Sequence, residues 1–115
     1  MNYLIEKIKA SRLTTISIEN FIFTIRRPTD YEATKAVGKS QEDFFRQFVT
    51  DWHGVQEIHL VAGGTSVDVP FESDLFLEWI ADQPQLWEPL MQGIIDSYKQ
   101  HDKRRSDSEK KPEIG

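Results

Sequence analysis

Apolar residues fall into short alternating runs in the first part of the chain and into wider helical stripes toward its end. Ile16 and Ile18 share one side of the run 13–18. Phe21, Phe23 and Ile25 share one side of 21–25, with Ile22 and Thr24 opposite. β-branched and aromatic residues at a period of two suit a half-buried strand. Only Glu19-Asn20 separates the runs, and Asn tolerates the left-handed conformation of a tight turn, so a β-hairpin is expected. Pro28 cannot donate to a sheet ladder and ends the second strand. A second hairpin is expected where 55–62 (Val55, Ile58, Leu60, Ala62) and 65–69 (Val67, Val69) flank Gly63-Gly64. Pro70 closes it.

Helical spacing dominates elsewhere. Thr29 or Asp30 is placed to cap a short helix over 31–37, which Gly38 stops. Ser40 opens the next helix, with Asp43 three residues on. Phe44, Phe48 and Trp52 then recur at i, i+4 and i+8 beside Phe45 and Val49, which predicts a helix running to His53-Gly54. Glu72 or Ser73 caps a third helix with Leu75, Phe76, Trp79 and Ile80 on its apolar face. After a break at Asp82-Gln83-Pro84, a fourth carries Trp87, Leu90, Met91, Ile94 and Tyr98 to about Gln100. Pro89 lies early enough in it to be tolerated or to kink it. Leu4, Ile5 and Ile8 fit either a short N-terminal helix or an extended arm. The expected class is therefore α+β: two β-hairpins, about four strands, packed with three to five helices, and a helical C-terminal half. Residues 1–100 form one domain. In 101–115 the only strongly apolar residue is Ile114, so a disordered charged tail is expected.

Composition narrows the class. The chain has 115 residues, enough for one domain with a modest core. Its 38% hydrophobic and 29% charged content is that of a globular protein. The longest apolar run, 21–25, is strand-sized, so no membrane span is expected, and 1–10 carries Glu6, Lys7 and Lys9, unlike a signal peptide. With no cysteine there is no disulfide or thiolate site, which fits a reducing compartment. A net charge of −5 argues against nucleic acid as the partner, since Lys and Arg supply most of that affinity.

Candidate chemistry is sparse. His53, His59 and His101 lack metal-ligand spacing, and no metal is expected. Gly63-Gly64-Thr65-Ser66 lacks the Lys of a phosphate-binding loop and joins two expected strands. The acidic pairs Glu42-Asp43 and Glu72/Asp74 sit at helix starts, where the dipole favours them. No catalytic constellation and no cofactor motif is legible, so a non-enzymatic role is expected. Trp52, Trp79 and Trp87 all lie on apolar stripes, where core packing is the first reading. In so small a domain part of that surface can also serve as a groove or a self-association face. The candidate protein-binding residues are Leu75, Phe76, Trp79, Trp87, Leu90 and Met91, with Arg104 and Arg105 in the charged tail adding salt-sensitive contacts.

The order of features resembles the small tail assembly chaperones of long-tailed bacteriophages and prophages. Carrying it are Phe23-Thr24-Ile25-Arg26-Arg27-Pro28-Thr29 after the hairpin and Val49-Thr50-Asp51-Trp52-His53-Gly54-Val55. Val69-Pro70-Phe71-Glu72-Ser73-Asp74-Leu75 follows, ahead of a Trp/Leu-rich helical pair and a charged tail. The resemblance covers roughly residues 13–105. It implies a non-catalytic protein of the host bacterial cytoplasm that binds the long, helical tape measure protein and helps recruit tail tube subunits. A second reading is another small phage structural or adaptor protein, at the head–tail junction or in tail completion. A third is a nucleic-acid-binding regulator built on Arg12, Arg26, Arg27 and the tail.

Overall fold

A computed structural model describes residues 2–36 and 38–109. Among them, a three-stranded antiparallel sheet and six helices form the α+β architecture expected from the sequence. Near the N-terminus lies helix α1 (Asn2–Ala10), which buries none of its side chains and leaves Tyr3, Leu4, Ile5 and Ile8 exposed. Strands β1 (Leu13–Ile18) and β2 (Phe21–Arg26) make the expected hairpin, with Ile18 opposite Phe21 across the two-residue turn. The left-handed residue in that turn is Glu19 (φ 56°), not Asn20. The alternation holds: Phe21, Phe23 and Ile25 are buried while Ile22 is exposed.

The third strand departs from the expected pattern. Helix α3 (Gln41–Phe48) starts at Ser40, whose hydroxyl accepts from the Asp43 amide at 3.1 Å, but it ends at Phe48. Residues Val49–His53 leave the helix as strand β3 and complete the sheet in the order β1-β2-β3. Trp52 therefore continues the Phe44/Phe48 stripe in sequence spacing alone. Strand pairing satisfies the backbone groups along the free side of β2, and Val49-Thr50 are poor helix formers. Ile25 pairs with Val49 and Thr24 with Asp51, so Thr50 is an extra residue, and this bulge lets both Val49 and Trp52 face the core.

The expected second hairpin is also replaced. Residues Glu57–Leu60 form a single helical turn, α4, where strand alternation predicts β structure. It is closed by the Val61 amide bonding to Glu57 O at 3.0 Å and the Gln56 amide bonding to His59 Nδ1 at 2.9 Å. Pairing with 65–69 survives as one isolated bridge, Gln56 with Asp68, flanked by Val69 N–H to Val55 O at 2.9 Å. The apolar residues of the stretch divide accordingly, Val55 buried and Ile58, Val61 and Val67 exposed. Among the described residues there are thus three strands rather than about four.

Two long-range features tie the layers together. Helices α5 (Ser73–Ile80) and α6 (Pro84–Glu109) cover the sheet's apolar face. Gly93 of α6 lies so close to β1 that a Cβ there would fall 2.0 Å from Ile16 Cδ1. The other feature is a polar knot around helix α2 (Asp30–Thr34), which Thr29 caps with Glu32 in a reciprocal capping box. Val37, at the end of the expected helix, lies outside the described residues. Arg26 at the end of β2 meets Glu32 in a two-pronged pair at 2.7 and 2.9 Å, Gln47 of α3 donates to the same carboxylate at 2.6 Å, and the Thr29 amide donates at 2.9 Å.

That knot has a pH signature. The bonds from Arg26 above all, then those from the Thr29 amide and Gln47, outweigh desolvation and hold the Glu32 carboxyl at about 2, well below its ordinary value of 4.5. A carboxyl depressed in the folded state stabilises the fold fully above its unfolded pKa and loses that contribution as pH falls through the folded value. Stability should therefore fall between about pH 5 and pH 2. Glu32→Gln should be less stable at neutral pH and show a flatter thermal midpoint across that window. An unchanged acid slope in the variant would rule out this origin.

Helix α6 extends through Glu109, so 101–109 are helical rather than a disordered tail; residues 110–115 lie outside the described residues. Asp30 gathers Tyr98, His101 and Arg105, side chains at i, i+3 and i+7 on one face of α6. Tyr98 donates at 2.8 Å, the His101 Nε2 lies 3.6 Å away, and Arg105 bridges Asp30 and Asp102. The Tyr98 hydrogen bond, followed by the charges of Arg105 and His101, lowers the Asp30 pKa against an opposing desolvation. These contacts give the polar end of α6 the tertiary partner that its composition conceals.

Candidate functional site

The structure separates the eight candidate binding residues into three groups. Phe76, Trp79 and Leu90 are core: Phe76 and Leu90 are fully buried and Trp79 is 7% exposed. They are unavailable as surface anchors. Trp79 sits edge-on to Phe21 and Trp52, and its indole N–H donates to His59 O at 3.0 Å, which holds the α4 turn against the core. Leu75, Trp87 and Met91 are half-buried against the core margin. Arg105 is engaged by Asp30 and Asp102, while Arg104 lines a small recess with Arg12 and Arg27.

Trp87 alone of the eight lines an open trough of about 560 Å³ between α3, α5 and the start of α6. Both walls are helix faces. Glu42, Phe45 and Arg46 stand at i, i+3 and i+4 on α3; Asp74, Leu77, Glu78 and Ala81 stand at i, i+3, i+4 and i+7 along and just beyond α5. The lower wall is apolar: Phe45, Leu77 and Ile80 are themselves buried beneath it, and half-buried Trp87, its indole fixed by its N–H bond to Ile80 O at 2.6 Å, presents the apolar surface. The rim is charged and mainly acidic. Arg46 reaches across to Asp74 at 3.1 Å and lies 3.8 Å from Glu42, while Glu78 makes no ion pair among the described residues.

Phe45 and Leu77 complete this trough. Both lie beside the apolar stripes that the sequence makes conspicuous. The 74/77/78/81 spacing marks the α5 wall in the sequence, but nothing local shows that α3 would stand opposite it. The three histidines are dispersed: His53 on β3, His59 in the α4 turn edge-on to Phe21, and His101 on α6. Among the described residues, no group of three or more His, Asp or Glu side chains is arranged to hold a metal ion. None of the described helices is long and apolar enough to cross a membrane. Comparison with known protein families, characterised proteins and solved structures finds no match to this chain.

Proposed function

We propose that the chain is a non-enzymatic binding protein whose α3–α5 cleft receives an amphipathic helix from a larger protein. The observation that carries this reading is a trough with helical walls, an apolar lower wall and an acidic rim. Two helices side by side leave a groove shaped for a third, and the residues that seat it recur at i, i+3, i+4 and i+7. The rim charges Glu42, Asp74 and Glu78 outnumber Arg46, which favours a helix with Lys or Arg flanking its apolar stripe. The sequence resemblance supplies the kind of partner: a tape measure protein, whose long helices need cover before the tail tube closes around them. On this reading the protein is a phage tail assembly chaperone acting in the host cytoplasm, with the tail tube protein as a further partner.

The test is a search of the neighbouring genes for a large helical protein and co-expression with it; absence of such a neighbour removes the chaperone reading. The partner should be soluble with the wild-type chain and aggregate without it. Trp87→Ala should weaken the complex roughly 30-fold, the scale of a central interface anchor. Glu78→Lys, an exposed rim change that leaves the apolar wall intact, should weaken it roughly tenfold and reduce its salt dependence. A partner that stays soluble alone, or two variants that bind like wild type, would remove this reading. Recovery of the chain in purified particles would favour the structural adaptor instead.

A further inference from the structure

A second concavity has the opposite chemistry. Where α1 leads into β1, beside the end of β2 and against α6, a recess of about 190 Å³ is lined by Arg12, Arg27 and Arg104 with Ser11, Ser97 and Gln100. The fold brings these together by long-range geometry. The Arg27 amide donates to Arg12 O at 2.8 Å, extending the β1–β2 pairing by one step, so the two arginines leave the hairpin side by side. Ser97, Gln100 and Arg104 lie at i, i+3 and i+7 on α6, whose axis is pinned to β1 at Gly93. The Ser11 and Ser97 hydroxyls already donate to Ile8 O and Ile94 O, each at 2.6 Å. The side-chain donors left to a ligand are the guanidiniums, the Gln100 amide and the Thr14 hydroxyl.

Three guanidiniums around one recess repel one another. Arg27 donates to Pro28 O at 3.0 Å, and the side chains of Arg12 and Arg104 make no hydrogen bond or ion pair among the described residues. The nearby carboxylates Asp30 and Asp102 are committed to Arg105, and Asp30 also to Tyr98. Burial and then the Arg12 charge lower the Arg27 pKa; Asp30 opposes them and Arg104 adds to them. Positive charge is therefore concentrated here and only partly offset by Asp30, in a chain whose net charge is −5.

We propose that this recess binds a phosphoryl group through Arg12, Arg27 and Arg104. Guanidinium presents planar, paired N–H donors that match the oxygens of a phosphate, and such charge-assisted bonds are about twice as strong as neutral ones. The volume is that of about six water molecules, which suits a phosphate with part of its hydration or a diphosphate. The acidity of the rest of the chain favours a single phosphorylated small molecule over a long polyanion.

Calorimetric titration with sodium pyrophosphate and with inorganic phosphate tests it, against sodium chloride at matched ionic strength. Saturable one-to-one binding is expected for the phosphates and none for chloride. Arg104→Gln and Arg12→Gln should each weaken it at least about tenfold. Lys103→Gln, which removes the same charge from the neighbouring position outside the recess, should not. Arg104→Gln should also raise the thermal midpoint in phosphate-free buffer, because it relieves repulsion, and that shift separates loss of the site from loss of the fold. A single-stranded oligonucleotide at equal phosphate concentration identifies the source: binding that Arg104→Gln abolishes places the phosphate on a nucleic-acid backbone, and binding of pyrophosphate alone places it on a small molecule. Absence of saturable phosphate binding, or equal binding by Arg104→Gln, overturns the assignment.

Discussion

Phe76→Ala should cost the fold about 3–5 kcal/mol, a large part of the stability of a domain this size. The ring is fully buried, with its centroid 6.2 Å from Phe23, 6.3 Å from Phe45, 6.3 Å from Trp52 and 5.8 Å from Phe71. It therefore joins α5 to strands β2 and β3, to α3 and to the 65–71 segment at once. Truncation removes the transfer free energy of the ring and leaves a void that four aromatic neighbours cannot close by small rotations. Denaturant titration should show a lower midpoint with an unchanged slope, and the thermal midpoint should fall by about 15 °C or more. Phe76→Leu keeps most of the volume and should cost under about 1.5 kcal/mol. The opposite pattern, near-normal stability with loss of partner binding, would mean that Phe76 is a surface anchor and that the packing of α5 is misplaced.

The same residue shows where sequence patterning is informative and where it stops. A helical stripe identifies Phe76 and Trp79 as apolar-facing but does not distinguish a core from a groove. That choice depends on what packs opposite, and here the sheet packs opposite. The three tryptophans resolve the same way. Each is mostly enclosed, and each indole N–H has a carbonyl partner outside regular pairing: Trp52 with Val69 O at 2.7 Å, Trp79 with His59 O, Trp87 with Ile80 O. Such bonds fasten irregular backbone to the core, a role that has no periodic signature. Trp87 differs because one face of it remains on the cleft.

Where local patterns competed, the tertiary partner decided. The β1–β2 hairpin was legible because alternation and turn length agreed. At 44–52 the i, i+4, i+8 spacing favoured helix, yet the unpaired side of β2 favoured strand from Val49 onward, and only the three-dimensional arrangement contains that term. At 101–109 the composition argued for disorder, while Asp30, some seventy residues away in sequence, supplied the contact for Tyr98, His101 and Arg105. The recess at Arg12, Arg27 and Arg104 is hidden for the same reason. Its members were visible as separate basic residues, and their convergence depends on α6 running past the hairpin.

Gly54→Ala should be strongly destabilising, at about 2–4 kcal/mol. Gly54 follows β3 at φ 82°, in the left-handed region, and a Cβ there would lie 2.9 Å from the Asn20 carbonyl oxygen. Two costs therefore combine. The left-handed conformation costs an L-residue about 1–2 kcal/mol. Contact with a backbone oxygen adds to that, because Asn20 belongs to the β1–β2 turn and can retreat only by disturbing the hairpin. Gly63 separates the two contributions. It has the same φ of 82°, but nothing lies within 4 Å of an added Cβ. Gly63→Ala should therefore show the conformational cost alone, about 1–2 kcal/mol. Chemical denaturation of both variants measures the difference, and that difference reports how tightly the end of β3 is held against the hairpin turn. Equal losses would mean that Asn20 yields freely, and that the close approach of these two turns does not help fix β3 in the sheet.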